Sequence, residues 1–253
     1  MSTRLNWRFL VGEFFVIVVG VLVALWVDQL QAARADADLE VQYLRSFVID
    51  LDADLVQYDS TDAWSRRQEA AAATVLALYA GRRPTGNTAD LVTAVETAGW
   101  QYAPIVTRNT IDDLRSTGNL RLIRDPELRR AIAAYYTTFD AVSIPLADQR
   151  NRMWDRYDAR VAEVLRPGPR LRVAQQMEGG FAEGITSDAI EPGDFPSAVD
   201  LIAALRAVPE LETAAGDVLY QSILIRATID DLRAAALELR GVLERHLADG
   251  DSR

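Results

Sequence analysis

Cysteine and lysine are both absent from this 253-residue chain, and histidine occurs once, as His246. Without cysteine there is no thiol nucleophile, thiolate metal site or disulfide. Without lysine there is no Schiff base, Ser–Lys dyad or phosphate-loop lysine. The single imidazole lies near a polar C-terminus, where chain ends are poorly held. The sequence therefore predicts a non-enzymatic protein, with no catalytic, cofactor-binding or metal-binding residue and no cofactor.

The chain is acidic, with 37 Asp and Glu residues against 27 basic ones, all of them Arg, and a formal net charge of -10. Recognition of a phosphate backbone needs concentrated positive charge, so nucleic acid is not expected as a partner. Hydrophobic residues make up 49% of the chain and charged residues 25%, which predicts a packed core. No segment alternates apolar and polar residues as a half-buried strand would, so the predicted fold class is all-α.

The longest apolar run covers residues 9–27 and contains one charged residue, Glu13. As a helix it would be about 28 Å long, close to the hydrocarbon thickness of a bilayer. Trp7 and Trp26 bracket it, as interfacial indoles do. We predict a transmembrane helix over 9–27, with the lipid bilayer as a partner. A buried helix of a soluble protein and a cleaved signal peptide are the alternatives.

Basic residues on the two sides of this run predict its orientation. Arg4, Arg8 and the terminal amine precede it, whereas Arg34 and Arg45 follow at wider spacing. The positive-inside rule then places a short tail, residues 1–8, in the cytoplasm and the bulk of the chain in the periplasm or outside the cell. Abundant Arg and Ala are typical of GC-rich bacterial genomes, so the expected location is a bacterial inner membrane.

Glu13 lies about one helical turn inside the predicted membrane boundary, where it can reach the headgroups. A narrow stripe of mostly small residues at four-residue spacing runs beside it, formed by Gly12, Val16, Gly20 and Ala24. The small pair Gly20 and Ala24 allows close approach of two membrane helices, and Glu13 of one copy would then pair with Arg8 or Asn6 of another. Snorkelling, association in a homo-oligomer or with another membrane protein, and proton transport are the three interpretations.

Residues 28–80 contain neither glycine nor proline and are predicted to form one stalk helix. Apolar residues recur there at alternating spacings of four and three: Ala37, Val41, Leu44, Val48, Leu51, Leu55 and Tyr58. This seam predicts either a coiled coil or an amphipathic helix packed on its own domain. The acidic run Asp50, Asp52 and Asp54 is expected to be a solvated helix face, since it lacks the glycine turn of a calcium loop.

Breaks and caps divide the remainder, residues 87–253, into an irregular helical bundle. Residues 81–88 are a loop, and Asn87 or Thr88 is expected to cap a helix over 89–98. A further helix should end at Ser116, and Asp125-Pro126 is a strong helix start. We expect Pro145 to kink or interrupt that helix.

The sequence Pro167-Gly168-Pro169 should stop the helix, and a long loop should cover 178–196. A short helix then follows Pro196, and a long final helix begins at Pro209. Residues 108–115 match residues 226–233 at seven of eight positions, with an Ile and a Leu three apart that should face a core. Two similar amphipathic helices or a duplicated hairpin would both explain the match.

Two segments resemble a family of bacterial membrane proteins catalogued as a domain of unknown function. Residues 11–40, VGEFFVIVVGVLVALWVDQLQAARADADLE, carry a Gly-Glu pair ahead of an apolar span. Residues 110–136, TIDDLRSTGNLRLIRDPELRRAIAAYY, carry Ser-x-Gly-Asn-Leu, a capped turn and paired tyrosines. This chain has Asp28-Gln29 where the family is Asn-rich. The resemblance implies a single-pass anchored helical protein in which Glu13 is a designed feature, and it supplies no activity.

Three functions compete at this point. The first is a non-enzymatic membrane protein acting through oligomerisation or partner binding, as its anchor and stalk suggest. The second is a helical ligand-sensing domain outside the cytoplasm, which would signal through a partner protein. The third is a metal-dependent hydrolase using Asp and Glu, for which no spaced motif is present.

Overall fold

The computed structural model describes residues 7–82, 87–176 and 195–251. Every regular element within these ranges is helical, which confirms the all-α prediction. The α-helices are α1 (Trp7–Tyr79), α2 (Thr88–Thr97), α3 (Asn109–Ser116), α4 (Pro126–Val164), α5 (Pro167–Gln176), α6 (Ala198–Arg206) and α7 (Glu210–Asp251), with a 3-10 turn at Asn119–Leu122. The predicted loop at 178–196 lies almost entirely outside the described residues.

Helix α1 joins the predicted span and the predicted stalk without interruption over 73 residues. At 1.5 Å per residue it is about 110 Å long. It ends where Gly81 adopts a left-handed conformation, with φ of 72°. The Gly81 amide donates to the Leu78 carbonyl and the Arg82 amide to that of Ala77, a pairing that satisfies the last carbonyls of the helix.

The first part of α1 is long and apolar enough to cross a membrane, and it is the one such helix among the described residues. Side chains from 13 to 35 are all exposed, including Phe14, Phe15 and Trp26, and burial begins only at residue 36. The apolar part of this exposed surface, up to residue 27, is unfavourable in water and favourable in lipid. The helix is therefore compatible with a single-pass membrane anchor.

The chain divides into two compact units, and helices α1, α4 and α7 contribute to both. Unit 1 consists of Met1–Asp50, Arg108–Arg130 and Arg240–Arg253. Unit 2 consists of Leu51–Thr107 and Ala131–Leu239. Each unit thus combines residues of the predicted stalk with residues of the range 87–253.

Carboxylates of α1 hold the backbone of unit 1 in place. Glu40 accepts a hydrogen bond from the Arg124 amide at 2.7 Å, and Asp50 accepts one from the Thr110 amide at 3.0 Å. Thr110 is in the first turn of α3, whose amides have no partner within the helix. Asp50 therefore serves α3 as a cap from a distant part of the sequence.

The corresponding interaction in unit 2 is made by Asp54, which is 0% exposed. Its carboxylate accepts hydrogen bonds from the Thr107 amide at 2.6 Å and the Tyr135 hydroxyl at 2.7 Å. The Tyr135 hydroxyl also lies 2.8 Å from that of Tyr58. The expectation of a solvated acidic face is therefore wrong for Asp50 and Asp54, because backbone amides far along the chain need these acceptors. Only Asp52 of the three is exposed.

The predicted seam on α1 is partly buried by the chain itself. Leu44, Leu51 and Tyr58 are fully buried, whereas Ala37, Val41, Val48 and Leu55 are half-buried. This is the burial expected of an amphipathic helix packed on its own domain. A coiled coil with another chain would have to use a different face of α1 at these three buried positions.

Most helix starts follow the predicted caps. Asn87 caps α2 in a capping box with Asp90, and the Asp125 side chain accepts from the Glu127 amide at the start of α4. The Ile and Leu pairs of the repeated segment face a core as expected, since Ile111, Leu114, Ile229 and Leu232 are buried.

The two predictions from proline have different outcomes. Helix α4 is not interrupted at the exposed Pro145, because buried residues such as Phe139 and Leu146 on either side pack it into its unit, and a kink there stays a prediction. The helix does stop before Pro167 as expected, since α4 ends at Val164, and Pro167 is then the first residue of α5. Proline suits that position because the first helical amide has no partner within the helix.

Candidate functional site

A cavity of about 490 Å³ lies in unit 2, between the end of α2 with the segment after it, the second half of α4, and α5. Small-molecule sites are clefts of roughly 300–1,000 Å³ with apolar walls and a few placed polar groups. This cavity has both features.

Three aromatic side chains form the walls of the cavity: Trp100, Tyr102 and Trp154. The Tyr102 ring packs against Trp64 with ring centroids 5.0 Å apart, which fixes its plane. Burial raises the pKa of the Tyr102 hydroxyl above its ordinary value, so it stays a neutral donor and acceptor. Trp154 is 37% exposed and therefore lies where the cavity meets solvent. Flat apolar walls of this kind suit a planar or hydrophobic ligand body.

A buried ion-pair network borders the cavity. Arg170 donates from Nε to Glu96 at 2.8 Å and from Nη2 to both Glu96 and Asp158. The Glu96 side chain is 5% exposed, and burial raises the pKa of its carboxyl while hydrogen bonds from Arg170 and Trp100 oppose the rise. The same pairing raises the pKa of Arg170. The network joins α2, α4 and α5 and so holds together the helices that line the cavity. The Glu96 carboxylate is occupied by these hydrogen bonds.

Arg150 is the second guanidinium of the cavity, and its pairing is different. Its Nε and Nη2 donate to the Asn151 amide oxygen at 3.2 and 3.1 Å. No carboxylate of the described residues pairs with it, although Arg170 has two such partners. A half-buried cation with only a neutral partner can accept an anionic group from a ligand.

Gln101 supplies a buried acceptor. Its Nε2 donates to the Val218 carbonyl at 3.3 Å, which orients the amide, because turning it over would set two oxygens against each other. Its Oε1 is buried and finds no hydrogen-bond partner among the described residues. An unsatisfied buried acceptor costs about 1–3 kcal/mol, and the same burial keeps this oxygen out of reach of a ligand in the cavity.

Local packing explains why the segment after α2 enters the cavity wall. A methyl group at Gly99 would overlap the Tyr157 ring, so only glycine allows this close approach. Tyr157 is fully buried and donates its hydroxyl to the Val95 carbonyl at 2.8 Å, which anchors α4 to α2. Trp100, Gln101 and Tyr102 follow this fixed point directly. Their placement therefore depends on the contact between Gly99 and Tyr157.

The residues predicted for membrane-helix association lie elsewhere, along the exposed part of α1. Glu13, Gly20 and Ala24 are all on the open surface of that helix, and nothing lies within 4 Å of a Cβ built at Gly20. Arg8 and Gly12 belong to the same helix, but their side chains lie outside the described residues. Neither these residues nor the seam of α1 contributes to the cavity, and their roles in assembly stay predictions.

Sequence reasoning missed the cavity because its lining comes from three separated stretches. The only local signal is the run Trp100, Gln101, Tyr102 between a helix-ending glycine and Pro104. Polar and aromatic residues clustered outside any helix are a hint of a binding loop. Nothing in the sequence indicates that Arg150 and Arg170 lie opposite them.

Metal chemistry has no evident site in the ranges that the structure describes, since no group of three or more His, Cys, Asp or Glu side chains there could hold an ion. The arrangement of the cavity is suited to binding, with aromatic walls and one cation that pairs with no carboxylate of the described residues. Comparison of the chain with models of protein families, with curated proteins and with solved structures found no match. The family resemblance therefore stays a prediction.

Proposed function

We propose that this protein is a ligand-binding protein anchored in a bacterial inner membrane by α1, with its helical bulk outside the cytoplasm. It acts by binding a small organic molecule in the cavity of unit 2 rather than by catalysis. The observation that carries the proposal is a cavity with aromatic walls that contains a cation without a carboxylate partner among the described residues.

The composition of the cavity favours recognition over chemistry. Glu96 is the one lining carboxylate among the described residues, and it is engaged by Arg170 and Trp100, so it is not held ready to take a proton from a substrate. The chain offers no thiol or lysine, and its single imidazole, His246, belongs to unit 1. A preformed pocket with few polar groups discriminates ligands by which of those groups they satisfy.

Of the three functions that the sequence suggests, a ligand sensor agrees best with an anchor helix and a binding cavity in one chain. Occupancy of the cavity would be reported through a partner, either a second copy of the chain or another membrane protein. Helix α1 reaches from the exposed apolar region into unit 2, so one continuous element supplies both the anchor and part of the binding domain. The predicted contacts of Glu13 and Gly20 in the membrane would serve this partnership.

A thermal-shift screen on the full-length protein in detergent micelles tests the binding step. A library of small organic acids, amines and neutral aromatic compounds should contain members that raise the unfolding temperature. Ala174 lines the cavity, so Ala174→Phe should fill it and abolish the shift. Ala159→Phe, at an exposed position on α4, is the matched control and should keep it. Shifts that persist in Ala174→Phe would refute the site.

The orientation of the chain across the membrane is tested separately. A reporter that is active only in the cytoplasm, fused after Arg253, should be silent if the bulk of the chain lies outside. A strong signal would reverse the proposed orientation while leaving the cavity unaffected.

A further inference from the structure

The aromatic walls of the cavity determine which kind of ligand skeleton it favours. Trp100, Tyr102 and Trp154 offer flat, polarisable surfaces, and aromatic rings gain stacking or edge-to-face contact with such surfaces beyond simple burial. The Tyr102 ring is braced by Trp64 and so is preorganised for this contact. A ring-containing ligand satisfies the walls better than a flexible aliphatic chain.

The two guanidinium groups of the cavity determine which charge on the ligand is favoured. Arg170 is neutralised by Glu96 and Asp158, so it offers no net attraction for an anion. Arg150 is held only by the neutral Asn151 amide oxygen among the described residues, and its positive charge is uncompensated there. A carboxylate can displace that amide and form a bidentate pair with the planar guanidinium.

We infer that the cavity of unit 2 binds an aromatic carboxylate, with the carboxylate on Arg150. This inference rests on the proposed function, since it names the ligand class of the same cavity. A ligand of this class fits easily within about 490 Å³.

Two probes of the same size test the charged contact, measured by isothermal titration on the full-length protein in micelles. The first, 4-hydroxyphenylacetate, carries the carboxylate, and the second, 4-hydroxyphenethyl alcohol, lacks it. We expect 4-hydroxyphenylacetate to bind more tightly. Arg150→Gln should weaken its binding about tenfold and leave the alcohol unchanged, because only the charged probe uses that group.

Arg152→Gln is the matched control, because Arg152 is exposed on the same helix and does not line the cavity. It should bind both probes as the parent does. A variant that had merely lost its fold would weaken both probes equally, so the selective pattern is the decisive readout. Equal affinity of the parent for hydroxyphenylacetate and the alcohol, or equal losses across probes, would overturn the ligand class.

The two proposals fail in different ways. Binding of other library compounds that Ala174→Phe abolishes, without any response to the carboxylate probe, would overturn the ligand class and keep the binding function. Absence of any ligand-induced shift that depends on Ala174 would overturn both.

Discussion

Replacing Asp54 tests the buried hydrogen bonds that fix α1 within unit 2. The Asp54 carboxylate accepts from the Thr107 amide at 2.6 Å and from the Tyr135 hydroxyl at 2.7 Å, with no exposure to water. Asp54→Ala leaves both donors buried without this acceptor. An unsatisfied buried donor costs about 1–3 kcal/mol, so we expect the free energy of unfolding to fall by about 2–5 kcal/mol.

Two further variants serve as comparisons for this loss of stability: a conservative substitution of Asp54 and a substitution at an exposed neighbouring position. Asp54→Asn keeps one acceptor oxygen, and the Tyr135 hydroxyl keeps Tyr58 as a partner at 2.8 Å. We expect a smaller loss of about 1–2 kcal/mol. Asp52→Ala alters an exposed position two residues away and should change stability by no more than about 0.5 kcal/mol.

Guanidinium unfolding of the full-length protein in micelles, followed by circular dichroism at a helical wavelength, measures all three variants under one set of conditions. The midpoint and slope give the free energy differences. The reasoning would be refuted if Asp54→Ala and Asp52→Ala unfolded at the same denaturant concentration, since the buried acceptor would then contribute nothing.

Three further predictions concern ionisation, assembly and anchoring. Burial raises the pKa of Tyr58 and of Tyr79 to about 12 from an ordinary 10. The unfolded chain therefore releases these protons first, and for the fully buried Tyr58 stability should fall by about 1.4 kcal/mol per pH unit from pH 10 to 12. Unfolding midpoints that do not change over that window would contradict it. A cysteine introduced at position 28 reports self-association of the span in membranes by crosslinking two copies of the chain. Gly20→Ile should strongly reduce this crosslinking, and Glu13→Gln should reduce it by at most a few fold. If both variants crosslink as the parent does, the span is an anchor that does not associate. The protein should stay with membranes after a carbonate wash, whereas recovery of a soluble form lacking the first 35 residues would identify a signal peptide instead.

Features encoded over short distances could be read from the sequence. The Asn87 cap of α2 and the Asp125 cap of α4 involve partners within three residues, so their type and spacing suffice to predict them. The apolar run in α1 is likewise a property of consecutive residues. The absence of strands from the described residues agrees with the same local periodicity.

Features that join distant residues were not predictable in this way. The sequence predicts Asp50 and Asp54 to be solvated. In the structure they accept hydrogen bonds from the amides of Thr110 and Thr107, which lie more than fifty residues away in the sequence. The pairing of Arg170 with Glu96 spans 74 residues, and it shapes a cavity of which the sequence shows only Trp100 to Tyr102. Such contacts depend on how helices pack, which composition and spacing do not specify.

The continuity of α1 has a mechanical consequence. From residue 28 to Tyr79 the helix has no glycine or proline, the usual positions of kinks, so it behaves as a stiff rod. Successive residues are turned by about 100° about the helix axis. A rotation of the exposed apolar part by that angle, carried along the rod, would turn Asp54 away from the Thr107 amide and bring a neighbouring side chain in its place. The exposed apolar part of α1 and the hydrogen bonds of Asp54 are thereby coupled through one helix.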